Sequence, residues 1–191
     1  MCVMLKPRCI RRRRWGKGFL NPKKAQMSQS KIKVKVAVFF DWKCTVHHEF
    51  VPRGQMVNEQ FYQEVLARLR DAVRRKRPAF WENQTWILHH DNAPAHASLL
   101  IRSYVANHQT SVVPHPPYSP DLDPADFFLF PTFKTTLKGR GFQTIDKIQE
   151  NAIRELRAIT ESAFQEEFQQ QKKCWERCIA RRGDCFERDS A

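Results

Sequence analysis

A chain of 191 residues is long enough to bury a core and short enough to form one domain with a tail. Its 41% hydrophobic content excludes global disorder, and no apolar run approaches the ~20 residues of a membrane helix. The cationic N-terminus is not followed by an apolar segment of roughly 7–15 residues, so a secreted product is not expected; an Arg-rich start leaves mitochondrial targeting as an alternative.

The net charge of +13 is unevenly placed. Residues 1–40 hold twelve Lys or Arg, among them Arg11, Arg12, Arg13, Arg14, Lys23 and Lys24, and no acid. Those 12 taken from 33 leave 21 basic against 20 acidic side chains in the remainder. The excess belongs to an arm over residues 1–31, which suits DNA or another polyanion. The plainer alternative is a solvated tail that binds polyanions weakly, and the Arg run also suits a nuclear-import signal. The expected location is nuclear or cytoplasmic. The six cysteines (Cys2, Cys9, Cys44, Cys174, Cys178 and Cys185) have no paired C-x-x-C spacing. Cys174 and Cys178 share a helix face, but no histidine follows His115 to complete four-coordinate zinc. Free thiols in a reducing compartment are expected.

Residues 1–31 lack apolar periodicity. Residues 32–40 (IKVKVAVFF) alternate and then run apolar, as a strand does. Asp41 to Cys44 suits a tight turn and Thr45–Val51 a second strand, making a β-hairpin. Pro52-Arg53-Gly54 breaks the chain. Asn58 caps a helix with Phe61, Val65, Leu66, Leu69 and Val73 on one stripe, ending near Lys76 before Pro78. Thr85–His90 is a short buried strand ending at Asp91. Asn92-Ala93-Pro94 turns into a helix over 95–107, with Leu99, Leu100, Tyr104 and Val105 inward. Ser111–Pro114 is another strand, and a Pro-rich loop leads to a helix opening near Ala125. Helices follow over 145–159 and 161–181. Two strands separated by a helix imply a parallel pair with a right-handed crossover, giving a mixed α/β sheet that carries an antiparallel hairpin. Ligands gather beyond the carboxyl ends of such strands, where Asp91 lies.

Two strings carry the chemistry: HHDNAPAH at 89–96 and HPPYSPDLDPADFFLF at 115–130. Asp91 follows a buried strand and is held by a turn. Asp126 opens a helix after a loop stiffened by Pro116, Pro117, Pro120 and Pro124. Carboxylates brought to one point by two rigid elements suit a hard divalent cation. Taken alone, Asp126 is equally a first-turn helix acid, and Asp121 and Asp123 read as exposed turn residues. His89 and His90 are adjacent on a strand, point to opposite faces and cannot chelate together. His96 reads as a packing or hydrogen-bonding residue.

Together the strings resemble the mariner family of DNA transposases, whose second and third metal-binding aspartates lie in motifs like HDNAP.H and YSPDL.P.D. The matching positions are Asp91 and Asp126, with 34 residues between them. The resemblance extends from about Trp15 to Phe186 through PKK at 22–24, the KIKV…VFFD strand, EFVP.GQ.VN at 49–58 and the closing WERC……FE. It implies an RNase H-like domain over 32–187, with a basic arm before it and a tail at 188–191. It also implies an ancestral Mg²⁺-dependent cutting and joining of DNA, in which two ions roughly 3.5–4 Å apart clamp the attacking and leaving oxygens.

The family's first aspartate sits on the first, central strand of the sheet, and residues 1–40 contain no acid. Only two strands precede the helix near residue 58, so Asp41 falls in the turn between the second and third strands of that fold and is not expected to bind metal. The central strand is therefore expected to be missing, along with the family's N-terminal helix-turn-helix region. Residues 1–10 (MCVMLKPRCI) offer apolar side chains for the gap, although Pro7 opposes a central strand. The expected product is a catalytically inactive, transposase-derived protein whose Asp91 and Asp126 form at most a weak cation site. The alternatives are a nucleic-acid-binding module using the basic arm, a protein that joins a homodimer or transposase-like chain by completing a sheet, and a translated remnant with no selected function.

Overall fold

A computed structural model describes residues 34–137 and 144–182. The basic arm with Arg11 to Arg14, Lys23 and Lys24, the apolar side chains of residues 1–10 offered for the gap, Cys2, Cys9 and Cys185, and the tail at 188–191 lie outside the described residues.

Strand β1 (Val36–Phe40) pairs antiparallel with β2 (Thr45–Phe50), with an irregularity between Phe39 and Phe40. The turn between them is held by Asp41, whose Oδ1 accepts the N–H groups of Lys43 and Cys44. A second turn at 52–55 uses Gly54 at φ 83°, the left-handed region that only glycine enters without steric cost. Helix α1 (Glu59–Lys76) is capped by Asn58, whose side chain accepts from Phe61 N–H. Arg74, Arg75 and Lys76 in its last turn suit the negative end of the helix dipole.

Pro78 does more than end α1. It opens a short helix, α2 (Pro78–Glu82), because a proline at the first helical position lacks only an N–H that would have no helical partner. Strand β3 (Ile87–His89) pairs in parallel with β4 (Ser111–Val113) through helix α3 (Leu99–Asn107), the crossover expected from the sequence. Leu99 corrects the expected inward face. It is 79% exposed, because Ser98 rather than an earlier residue caps α3 and Leu99 occupies the first helical position, while Ile101 is buried.

After β4 the loop forms a 3-10 turn (Pro120–Leu122) and a π-helical turn (Ala125–Leu129) that runs into α4 (Phe130–Leu137). Helices α5 (Ile145–Ala158) and α6 (Glu161–Ala180) complete the described chain.

Strand β1 lies between two apolar layers. Ala37 and Phe39 join Val46, the inner face of α1 (Phe61, Tyr62, Val65, Leu66, Leu69, Val73), Leu88 of β3 and Ile101 of α3. Val38 and Phe40 face the other way, onto Ala125, Leu129, Leu156 and Phe164. Burial on both faces explains why VAVFF is continuously apolar rather than alternating.

The fold is RNase H-like α/β, mixed strands flanked by helices. The sheet is in two halves: β1 is bonded to β2 and β3 to β4, and among the described residues no strand joins the halves. Helix α1 packs beneath both and holds them to one core.

Candidate metal centre

Asp91 follows β3 directly. Its Oδ1 accepts the N–H of Ala93 at 2.9 Å and lies 2.8 Å from His96 Nδ1. His96 is buried and packs on Tyr62 of α1, with ring centroids 4.1 Å apart. The Tyr62 hydroxyl meets His90 Nδ1 at 2.8 Å, and His90 stacks on His96. A core helix thereby orients the imidazole that orients the carboxylate. His89 turns to the opposite face, where Nε2 lies 3.2 Å from His115 Nδ1. Burial pushes both His89 and His90 down to about 4, with their imidazole neighbours adding to the effect, so both are neutral near pH 7.

Asp126 is half-buried in the first turn of the π-helix. Its N–H donates to the Asp123 carbonyl at 2.9 Å, which places the two residues one above the other on a single turn. Asp123 was expected in an exposed loop and is instead buried, only 4% exposed. The Pro120–Leu122 turn folds back under α6, where Gln171 donates to the Leu122 carbonyl, and this carries the next residue inward. Asp123 Oδ1 accepts the Ala125 N–H at 2.9 Å. Burial pushes the Asp123 carboxyl up to about 7 against that hydrogen bond, with Asp126 and Asp91 raising it further. Asp121, three residues after Tyr118, stays exposed.

Asp91, Asp123 and Asp126 line one cavity of about 480 Å³ together with Asn92, His115 and the Pro117–Pro120 loop. Asn92 Nδ2 donates to the His115 carbonyl at 2.6 Å and ties the two walls together. The lining offers hard carboxylate oxygens, the donor type that suits Mg²⁺ or Mn²⁺. Among the described residues no three His, Cys, Asp or Glu side chains converge closely enough to cage an ion directly. A cavity of this size instead suits a cation that keeps part of its water shell, as Mg²⁺ does.

Asp41 lies elsewhere. It forms a two-pronged ion pair with Arg77, at 2.6 Å and 3.1 Å. Burial would raise its carboxyl, but the Arg77 and backbone hydrogen bonds outweigh that and hold it below the usual range. Among the described residues the hairpin therefore contributes no carboxylate to the cavity. Tyr62, which packs against His96, and Asp123, which lines the cavity, are not singled out by the sequence. For Asp123 the available signal was its three-residue spacing from Asp126.

An RNase H-like fold with one carboxylate beyond the carboxyl end of a parallel strand and another on a helical turn defines a class of metal-dependent nucleic-acid-processing domains, and comparison with known proteins narrows it. A family profile described as Transposase (partial DDE domain) matches residues 9–83. The Mariner Mos1 transposase of Drosophila mauritiana is 30% identical over 156 residues, 81% of this chain and 45% of that protein. The human histone-lysine N-methyltransferase SETMAR is 26% identical over 156 residues, covering 23% of its length. The chain thus spans less than half of either curated relative. The Mos1 catalytic domain solved with raltegravir and Mn superposes with a TM-score of 0.74 at 29% identity, covering 81% of this chain and 78% of that one. A pre-cleavage Mos1 transpososome matches with a TM-score of 0.76 at 27% identity, over 90% of this chain and 52% of that one. The chain belongs to the mariner type of transposase catalytic domains.

Proposed function

We propose that the chain carries an incomplete form of the mariner strand-cleaving and strand-joining site, in which Asp91 and Asp126 bind a divalent cation and the 191-residue polypeptide alone does not cut DNA. The carrying observation is that a strand end and a helical turn bring the two carboxylates to one cavity, while Asp41 of the hairpin is held away by Arg77. A bound Mg²⁺ supplies Lewis acidity toward a phosphodiester. The chain's own part is to hold the ion from one side: His96 and the Ala93 N–H orient Asp91, and the Pro-stiffened loop positions Asp126. The Mos1 relatives have been solved with Mn, with Mg, and as a complex with a transposon end, which supports the same metals and a DNA partner here. The decisive assay is Mg²⁺- or Mn²⁺-dependent nicking of duplex DNA by the purified polypeptide. No nicking is expected, and cleavage that disappears in Asp91→Ala refutes the reading.

A second reading is supported by the placement of the charge. Residues 1–31, with Arg11 to Arg14 and Lys23 and Lys24, form a basic arm that binds DNA, and residues 32–187 form the catalytic-type domain, which pairs with a second copy or a transposase-like chain. A nuclear or cytoplasmic location follows from that partner. Among the described residues no helix is long and apolar enough to cross a membrane. DNA binding that weakens steeply with salt, and is lost when Arg11 to Arg14 become Ala, is the expected result. Undetectable binding near physiological salt ends this reading.

A further inference from the structure

We propose that residues 1–5 (MCVML) form a strand that fills the gap between the hairpin and the parallel pair, joining the two half-sheets into one. The gap is defined by the strands on either side of it. Strand β1 is buried along residues 37–40 whereas β2 is mostly half-buried, so β1 is the inner strand of the hairpin. The Lys35 carbonyl accepts the Val51 N–H, and bonded pairs alternate along an antiparallel ladder. Ala37 and Phe39 therefore bond to β2, while the N–H and C=O of Val36 and Val38 point to the inner edge. Among the described residues no strand receives them, yet Val38 is 0% exposed. Buried backbone donors and acceptors without partners are costly, so this edge calls for a pairing strand rather than water. Among the described residues β3 is likewise bonded on one side only, to β4, and its Leu88 is buried in the core that holds Ala37 and Phe39. Between the hairpin and the parallel pair lies an apolar cavity of about 220 Å³, lined by Val46 and Val73 and by the exposed Trp42, Phe80 and Ile87. The chemistry of the gap selects the occupant. A strand beside β1 meets the same two apolar layers, so it must be apolar throughout rather than alternating. Outside the described residues, MCVML is the longest uncharged apolar run, and its five residues match the length of β1. Pro7 lies beyond it and takes no position in the ladder. Residues 6–33 span up to roughly 90 Å when extended, so the same chain reaches the gap. The tether gives the strand an effective concentration on the order of millimolar, which a second copy lacks. Arg11 to Arg14 stay outside the strand, so the inference is independent of the DNA and cation readings.

Residue-resolved nuclear magnetic resonance on the full 191-residue chain tests the inference. Nuclear Overhauser contacts are expected from residues 1–5 to Val36 and Val38 on one side and to β3 on the other. In a mixture of labelled and unlabelled protein, those contacts are expected within one molecule. Contacts seen only between differently labelled molecules overturn the inference in favour of a second copy. Absence of any contact from residues 1–5 to β1 and β3 overturns it outright. Amide exchange supplies a second readout. Val3→Pro removes a ladder N–H and breaks the strand. It is expected to speed exchange at Val36 and Val38 by about tenfold or more, while Ala37 and Phe39, bonded to β2, keep their protection. Unaltered exchange at Val38 in Val3→Pro overturns the inference. Loss of protection throughout the domain supports it, because a proline in a free arm does not unfold a core.

Discussion

Replacing Asp123 with Asn should stabilise the metal-free protein, and increasingly so as pH rises. The carboxyl is raised from 3.8 to about 7 by burial, with Asp126 and Asp91 adding to it. Between those values the folded state holds a proton that the unfolded state has released, so the native protein loses stability as pH climbs. The favourable contribution is complete below pH 3.8 and gone above about 7. A displacement of roughly three units corresponds to roughly 4 kcal/mol at pH 8. His89 and His90 pull the other way. Their folded values near 4 lie below 6.5, so they add stability as pH rises to 6.5 and lose it as pH falls through 4. The parent's own pH curve is therefore a mixture, and the difference between parent and Asp123→Asn isolates the carboxylate. Urea unfolding in the presence of a chelator, followed by tryptophan fluorescence from pH 4 to pH 8, measures it. The difference should be near zero at pH 4 and grow to several kcal/mol in favour of Asn at pH 8. A difference that does not change with pH refutes the burial argument.

Arg77→Ala leaves the Asp41 carboxylate buried without its two-pronged partner, and should cost roughly 3–5 kcal/mol in the same urea experiment. Mn²⁺ affinity of the folded variant should not change, because Asp41 does not line the cavity. Ser98→Ala removes the acceptor for the Ile101 N–H at the start of α3 and should cost about 1 kcal/mol. A loss below a few tenths of a kcal/mol would place the start of the helix elsewhere.

Much of this protein can be read from local patterns. The stripe on α1, the Asn58 cap and the hairpin turn at Asp41 follow from periodicity and turn chemistry, which act over a few residues, while the parallel pairing of β3 with β4 follows from the strand–helix–strand order. So does Asp91, because a carboxylate after a short buried strand sits where such sheets bind ligands. The exclusion of Asp41 could be argued from strand count, but the physical reason appears only when α1 returns Arg77 to the hairpin turn, 36 residues along the chain.

Asp123 marks the boundary between the two kinds of knowledge. In the string YSPDLDPAD, Asp121 and Asp123 look alike, as two acids in a Pro-rich loop. What separates them is burial, and burial depends on α6, whose Gln171 draws the Leu122 carbonyl inward from 49 residues away. The same holds for Tyr62, which looks like one more apolar position on α1 until β3 and the following turn bring His90 and His96 against it. Spacing along the chain sets which residues can share a turn or a face. Which of them lose their water is set by packing between distant segments, and that desolvation separates Asp123 from Asp121.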